Sequence, residues 1–259
     1  MEILFYDHDL AVCVKPVGLD SEAQVPAELK KTLGGEIFPV HRLDKNVGGV
    51  MVYARTKQAA AALSKAVQDG AVVKEYVAMV HGLPPESGDW EDLLWKDSRK
   101  NKVYVVKRER SGVKKARLEF TRLSAGECSL VRIRLHTGRS HQIRVQFAHA
   151  GTSLVGDNKY GSMSNAVQEA GNGSVCASSQ VVENATENLT IAPGRRHGVL
   201  KDTPALCACS LTFTHPVTGQ RLCVSCRPNN LAFAAFGVDK LPEPGIKYLI
   251  SCDTGSEEE

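Results

Sequence analysis

Alternation of apolar and polar side chains over residues 130–136 is the feature that most limits the fold. Val131, Ile133 and Leu135 alternate there with two arginines and a histidine. Side chains on a strand point to opposite faces in turn, so this pattern predicts a strand with one buried and one solvated face. Such a strand needs neighbouring strands to pair with, and the chain is therefore predicted to be built around a sheet.

Most of the other predicted elements are also strands joined by turns. Residues 3–14 predict a hairpin that ends at Lys15-Pro16-Val17-Gly18. Further strands are predicted at 50–54, 72–80, 206–214 and 221–225. The segments 102–107 and 116–123 are predicted to pair with each other around a turn at Ser111-Gly112.

Only two helices are predicted. The first covers Lys57–Gln68, with Thr56 as its N-cap and Gly70 as its stop, and the second is capped by Ser140 and runs through Ala150. Few helices and no regular alternation of strand and helix favour the α+β class. We expect a mixed, largely antiparallel sheet flanked by helices and loops.

The bulk composition is that of one folded domain. The chain has 259 residues, of which 42% are hydrophobic and 24% charged. We expect a single domain over 1–250, with a flexible insertion at about 162–198, a polar tail at 251–259 and no separate N-terminal RNA-binding module. Acidic residues interrupt the first apolar stretch, and no run approaches the roughly 20 apolar residues of a membrane span. A cytoplasmic monomer without membrane contact is predicted.

Eight cysteines lie scattered along the chain, and four of them form two close pairs. Cys207-x-Cys209 and Cys223-x-x-Cys226 allow a zinc-site interpretation. The first pair alternates within a predicted strand, and reduced cysteine is a common buried residue. The spacing of a zinc knuckle is missing on both sides, so buried thiols are favoured and no metal is expected.

Positive charge is concentrated in one part of the chain. Residues 96–117, here called the basic stripe, hold ten lysines and arginines against two acids, a local charge of +8 on a chain whose net charge is +3. The rest of the chain is therefore acidic on balance. The stripe fits phosphate contacts with a nucleic acid, and it fits equally a solvated hairpin with charged faces.

Three polar segments stand where predicted strands or helices end, which is where sites usually lie. They are His41-Arg42-Leu43-Asp44, Lys74-Glu75-Tyr76-Val77-Ala78 and residues 136–144. Taken singly, each has a structural interpretation: Asp44 as a turn acid, Tyr76 as a buried aromatic and Arg144 as an ion-pair partner.

Taken together, these segments resemble the RluA family of pseudouridine synthases. The matching blocks are, in order, Lys15-Pro16-x-Gly18, His41-Arg42-Leu43-Asp44, Lys74-x-Tyr76-x-Ala78, Thr137-Gly138-Arg139-x-His141-Gln142-Ile143-Arg144, Gly156-Asp157-x-x-Tyr160-Gly161 and Leu211-x-Phe213-x-His215-Pro216. They span nearly the whole chain outside 162–198. The Arg-Leu-Asp and Gly-Arg-x-His-Gln-Ile-Arg blocks are highly specific in combination.

The resemblance implies an RNA isomerase that needs no cofactor. Carried over by position, the catalytic aspartate is Asp44, the active-site tyrosine is Tyr76 and the buried arginine is Arg144. Pseudouridine forms when the N1–C1′ bond of uridine breaks, the base turns and C5 joins C1′, without redox change or hydrolysis. A carboxylate suits attack on the sugar, attack on the base, or removal of the C2′ proton. A tyrosine offers a face to stack on the detached uracil and a hydroxyl near C5.

The resemblance also implies contacts with RNA. A uridine in a single-stranded or loop region of ribosomal or transfer RNA is expected to flip out of its stack, and Arg42 is expected to help fill the vacated space. His41, Arg139, His141 and Gln142 are expected to contact the RNA.

One residue departs from the family pattern. After the aspartate the family usually has Thr-Ser-Gly or Thr-Gly-Gly, and this chain has Val47-Gly48-Gly49. The change removes a hydroxyl beside the predicted nucleophile. Two other functions stay open: a catalytically silent RNA-binding protein or RNA chaperone on the same fold, and a zinc-binding interaction module.

Overall fold

A computed structural model describes residues 1–161, 203–228, 233 and 244–249. The predicted insertion at 162–198 and the tail at 251–259 lie outside the described residues. The strands are β1 (Glu2–Tyr6), β2 (Leu10–Lys15), β3 (Phe38–Pro39), β4 (Gly48–Ala54), β5 (Val73–His81), β6 (Ser87–Asp97), β7 (Lys102–Val106), β8 (Val113–Ser124), β9 (Cys128–Leu135), β10 (Leu206–Thr214), β11 (Arg221–Ser225) and β12 (Gly245–Leu249). The helices are α1 (Gln24–Leu33), α2 (Lys57–Gln68) and α3 (Gln142–His149).

The described strands form one sheet in the order β1-β2-β4-β10-β5-β9-β8-β6-β7. β3 pairs with β4, β11 pairs with β10, and β12 pairs with β11. Every pairing is antiparallel except the one between β4 and β10. The α+β class with a mixed, largely antiparallel sheet is confirmed. None of the helices among the described residues is long and apolar enough to cross a membrane.

Alternation along the strands sorts side chains onto two faces of the sheet. In β4, Val50 and Val52 belong to the apolar cluster that packs under α2, whereas Met51 and Tyr53 belong to the cluster under α1 and α3. In β5, Tyr76 lies on the same face as α3. This period of two therefore directs Tyr76 toward α3.

The predicted alternation of β9 is confirmed. Val131 and Ile133 are fully buried, Leu135 is half-buried, and Arg132 and Arg134 are exposed. The first predicted helix is confirmed as well, because α2 has the predicted bounds and the Thr56 hydroxyl accepts a hydrogen bond from the Ala59 amide at 3.2 Å.

The predicted pairing of 102–107 with 116–123 is wrong. β7 and β8 both pair with β6, which lies between them. β6 was not predicted because its residues mix acids, tryptophans and leucines without a clean alternation.

The predicted helix start at Ser140 is also wrong. α3 begins at Gln142, and its N-cap residue is His141 in the left-handed conformation, with φ 52° and ψ 22°. The helix ends at His149, and Ala150 is exposed instead of joining the buried stripe of Ile143 and Phe147.

The cysteines of the two predicted pairs lie in the strands or directly after them. Cys207, Cys209 and Cys226 are buried in the apolar cluster under α2. Burial raises the pKa of the Cys209 thiol to about 12. Within the described residues no group of three or more histidine, cysteine or acidic side chains is placed to hold a metal.

Gly49 permits the close approach of β4 to β10. It has φ 131°, and a Cβ atom at this position would lie 2.2 Å from the backbone oxygen of Ala208. A side chain here would have to displace backbone in the middle of the sheet, next to the loop that carries Asp44.

We predict that Gly49→Ala lowers the free energy of unfolding by about 3 kcal/mol or more, because backbone strain and steric overlap add together. Urea denaturation measures the change. Gly219→Ala is the matched control: Gly219 has φ 72°, and a Cβ atom added there would have no neighbour within 4 Å, so only strain of about 1–2 kcal/mol is expected. Equal losses in the two variants would contradict the close approach.

Candidate active site

A cavity of about 430 Å³ opens where the β3–β4 loop, β5 and the start of α3 meet. Its lining includes Asp44, Tyr76 and Arg144, which are distant in sequence. Its volume lies within the range of small-molecule pockets. The three segments that the sequence singled out thus converge on one place.

The loop that carries Asp44 is held from beneath by the segment 15–21. The fully buried ammonium group of Lys15 donates hydrogen bonds to the carbonyls of Pro16 at 2.9 Å, Lys45 at 3.2 Å and Val47 at 2.7 Å. Burial lowers the pKa of Lys15 to about 8, and the charge of Asp44 acts in the opposite direction.

Ser21 holds the other side of the same loop. Its hydroxyl donates to the Leu43 carbonyl at 2.9 Å and accepts from the Leu43 amide at 3.2 Å. The Tyr53 hydroxyl fixes Ser21 in turn, by donating to its carbonyl at 2.8 Å. Asp44 is therefore presented by a backbone that is anchored on both sides.

Arg144 is oriented by a buried ion pair. Its Nε and Nη2 atoms each donate to a different carboxylate oxygen of Asp157, both at 2.7 Å. The remaining nitrogen, Nη1, lies 3.9 Å from Oδ2 of Asp44. The fork-to-carboxylate geometry fixes the guanidinium plane and directs one edge at Asp44.

A second nitrogen approaches the same oxygen. Nε2 of His141 lies 4.0 Å from Oδ2 of Asp44, and Nδ1 of the same ring lies 2.7 Å from the hydroxyl of Tyr160. Burial is the largest influence on His141 and lowers its pKa, while the charge of Asp44 opposes this and the charges of Arg144, Lys159 and Lys96 add to it.

Tyr76 and Lys74 project into the cavity from the same strand. Tyr76 is buried, and burial together with the charge of Asp44 raises the pKa of its hydroxyl above the usual value of a phenol. Burial lowers the pKa of the half-buried Lys74. Within the described part of the chain, neither side chain has a hydrogen-bond partner, so both polar groups face the cavity uncommitted.

The predicted RNA-contact residues occupy different positions. His41 lines the cavity, and its Nε2 atom accepts a hydrogen bond from the Val52 amide at 3.2 Å. Burial lowers the pKa of His41 to about 3, so the ring is neutral. Arg42 is exposed at the rim, where its Nη1 atom lies 3.4 Å from Oε2 of Glu22.

Arg139 and Gln142 lie on the opposite rim. Arg139 is exposed, and its Nε atom donates to the Lys115 carbonyl at 2.8 Å. Gln142 is buried: its oxygen accepts from the Thr137 hydroxyl and the Arg139 amide, and its nitrogen donates to the Arg117 carbonyl. Gln142 ties this rim to β8 through its bond to the Arg117 carbonyl.

Val47 lies at the cavity wall, where it is buried in the apolar cluster under α1 and α3. Its amide donates to the Asp44 carbonyl at 3.0 Å, and its own carbonyl receives the Lys15 ammonium. These two backbone bonds form without a side-chain hydroxyl at position 47.

The basic stripe lies beside the cavity rim, where the backbone of β8 bonds the rim residues Arg139 and Gln142. Eight of its ten cationic side chains are exposed. The charge of its first member, Lys96, helps to lower the pKa of His141. The carbonyl of Lys115 accepts a hydrogen bond from Nε of Arg139. Arg117 differs from the rest, because it pairs with Asp89 at 2.8 Å and Glu119 at 3.2 Å.

Several supporting residues had no role predicted from sequence. Lys15, Asp157 and Tyr160 were noticed as parts of matching blocks, but only the structure reveals which atoms they contact. Ser21 carries no sequence signal of its own.

The chain is similar to several known proteins. The sequence model of a family described as RNA pseudouridylate synthase matches residues 9–149. The chain is 34% identical over 238 residues to a ribosomal large subunit pseudouridine synthase D of Vibrio cholerae, covering 86% of this chain and 65% of that protein. It is 40% identical over 133 residues to an uncharacterized RNA pseudouridine synthase of Chloroflexus aurantiacus, covering 50% of this chain and 41% of that protein.

The chain thus spans less than two thirds of the length of these relatives. Among solved structures, it is similar to human RNA Pseudouridylate Synthase Domain Containing 4, with a TM-score of 0.68 and 23% identity. That likeness covers 94% of this chain and 95% of the human chain, and it establishes a shared fold.

The buried Lys15 gives the Asp44 loop a stability that depends on pH. Between its folded pKa of about 8 and its unfolded value of about 10.4, the unfolded chain holds a proton that the folded chain gives up. The free energy of unfolding of the wild type should therefore rise with pH in this window relative to Lys15→Met, by at most about 1.4 kcal/mol per pH unit. Urea denaturation of both proteins from pH 7 to 10 measures the difference. A difference that stays constant with pH would contradict a depressed pKa.

Proposed function

The chain belongs to the RNA pseudouridylate synthase family, and from this membership and the cavity around Asp44 we propose that it isomerises uridines in RNA to pseudouridine. The observation that carries the proposal is the convergence of Asp44, Tyr76 and Arg144 on one cavity. Isomerising a uridine requires a flat apolar surface for the base and a carboxylate within reach of the ribose, and this cavity provides both.

We assign the reaction to the carboxylate of Asp44. Its Oδ2 atom is the oxygen nearer to Arg144 and His141, and within the described residues Oδ1 accepts no hydrogen bond. Oδ1 is therefore the atom that meets the nucleotide. It either attacks carbon or removes the C2′ proton, after which the N1–C1′ bond breaks, the uracil turns and C5 bonds to C1′. C5 loses a proton at the end and N1, freed from the sugar, gains one, so atoms and electrons balance without a cofactor.

We assign to Tyr76 the task of holding the detached uracil. Its raised pKa keeps the hydroxyl protonated at neutral pH, which makes it a weak base. Stacking against the turning base is therefore its main role, and the hydroxyl serves as a hydrogen-bond donor to the ring. Val47 and Leu206 form an apolar wall of the cavity, so that apolar surface is available to both faces of a bound base.

The RNA is proposed to bind over the basic stripe, with the target uridine flipped into the cavity. Exposed lysines and arginines of the stripe neutralise phosphates, while Arg42 at the rim is placed to fill the space that the base leaves. Relatives are named as ribosomal large subunit enzymes, so ribosomal RNA is the first substrate to test and transfer RNA the second. We propose a monomer that acts without a membrane.

We predict that Asp44→Asn lowers the rate of pseudouridine formation at least about 1000-fold, because it removes the reacting carboxylate and keeps its shape. Nucleoside analysis of RNA after incubation measures the product. RNA affinity should stay within about threefold of the wild type. Turnover by this variant would contradict the mechanism, and a wild type that binds RNA without converting any uridine would favour a silent RNA-binding protein.

We also predict that RNA affinity falls with rising salt and that Lys114→Gln with Lys115→Gln reduces the slope. Each lost phosphate contact should change the slope of log K against log salt by about 0.7–0.9. Lys30→Gln with Lys31→Gln on α1 removes the same charge outside the stripe and is the matched control. Equal slopes for the two double variants would contradict RNA binding over the stripe.

A further inference from the structure

The block Gly156-Asp157-x-x-Tyr160-Gly161 takes no direct part in the steps assigned to Asp44 and Tyr76, yet two of its side chains contact residues that line the cavity. Asp157 holds Arg144 through both of its carboxylate oxygens. Tyr160 is fully buried and contacts His141. The block therefore contacts both residues whose nitrogens approach Oδ2 of Asp44.

The hydroxyl of Tyr160 has two polar neighbours. It accepts a hydrogen bond from the Val103 amide at 2.9 Å, and it lies 2.7 Å from Nδ1 of His141. An amide can only donate, so the single proton of the hydroxyl is left for the imidazole. The opposite arrangement, with a proton on Nδ1, would bury the Tyr160 proton without an acceptor, which is costly.

This bonding makes Nδ1 of His141 an acceptor. In a neutral imidazole the other nitrogen then carries the proton. That nitrogen, Nε2, lies 4.0 Å from Oδ2 of Asp44. The distance is too long for a hydrogen bond in the free protein, but catalytic hydrogen bonds often tighten when substrate binds.

The backbone of His141 supplies an independent observation. It is one of two non-glycine residues in the described part of the chain with positive φ. Asparagine and glycine adopt this conformation at lower cost than histidine does. Strain of this kind collects at functional sites, and here it places an imidazole against Asp44.

We propose that His141 is a positioning residue for Asp44, held by Tyr160 as the Nε2–H tautomer so that it donates to Oδ2 alongside Arg144. The inference rests on the proposed function, because it concerns the carboxylate that carries out the reaction. Two donors then fix one oxygen of Asp44, and the other oxygen is aimed at the nucleotide. The Gly156–Gly161 block supports both donors, Arg144 through Asp157 and His141 through Tyr160.

Two substitutions of His141 separate this role from a backbone role. The amide nitrogen of glutamine reaches the place of Nε2, and that of asparagine reaches the place of Nδ1. His141→Gln should therefore keep kcat within about tenfold of the wild type. His141→Asn should lose a further factor of about 10–100 in kcat, the worth of a hydrogen bond to a charged group, with KM nearly unchanged.

Stability should follow the reverse order. Asparagine suits the left-handed backbone better than glutamine, so His141→Asn should melt at a higher temperature than His141→Gln. The more stable variant is thus expected to be the less active one. If His141→Asn is as active as His141→Gln, or more so, the positioning role is overturned and the residue serves the backbone alone.

Nitrogen-15 NMR of the labelled histidine rings reads the tautomer without any turnover. We expect the wild type to carry its proton on Nε2 of His141, and Tyr160→Phe to show a mixture of both tautomers. A wild-type ring protonated on Nδ1 would overturn the proposal even if the enzyme is active. An absence of pseudouridine with every RNA offered to the wild type would overturn the proposed function itself, whichever tautomer is found.

Discussion

The buried ion pair between Arg144 and Asp157 supports one half of the site. The two side chains are 3% and 0% exposed, and two hydrogen bonds of 2.7 Å join them. The Oδ1 atom of Asp157 also accepts from the amides of Lys159 at 3.1 Å and Tyr160 at 3.0 Å. One carboxylate therefore shapes the turn that delivers Tyr160 and orients the arginine of α3. Removing either partner would leave a buried charge uncompensated, at a cost of about 3–5 kcal/mol.

The other half of the site is built from a different part of the chain. Lys15 and Ser21 hold the Asp44 loop through backbone carbonyls and amides, so the loop has a fixed course whatever side chains it carries. None of these bonds uses the side chain of residue 47, where the family resemblance implies a threonine and this chain has Val47. The two halves meet across a gap of about 4 Å between Oδ2 of Asp44 and its two nitrogen neighbours.

Local pattern was enough to predict much of the fold. The strands with regular alternation, such as β9, and the alanine-rich α2 with its Thr56 cap were predictable because their signals lie within a few residues. α1 was missed because only Val25 and Leu29 form its buried stripe and because Pro26, a residue that usually marks the end of a helix, lies in its first turn. β6 was missed because its tryptophans and leucines are mixed with acids, so its sequence shows no clean alternation of apolar and polar residues.

The sequence motifs predicted which residues lie at one cavity, but not the contacts that hold them there. Motifs identified Asp44, Tyr76 and Arg144, but the partner of Arg144 lies 13 residues away in a loop, and the partner of the Asp44 loop lies about 30 residues away at the end of β2. Such pairings depend on how the sheet brings the loops together. The left-handed His141 was unpredictable for a related reason: its strain is offset by contacts with Tyr160 and the surrounding helix end, and neither is visible in local propensity.

We propose that the cavity replaces the N1–C1′ bond of a uridine by a C5–C1′ bond without releasing the base. RNA carrying tritium at C5 of its uridines tests this directly, because C5 gives up its hydrogen when it joins the sugar. We expect the wild type to release tritium to water in proportion to the pseudouridine formed, with no free uracil. Retention of all tritium, or the appearance of free uracil in place of pseudouridine, would contradict the claim.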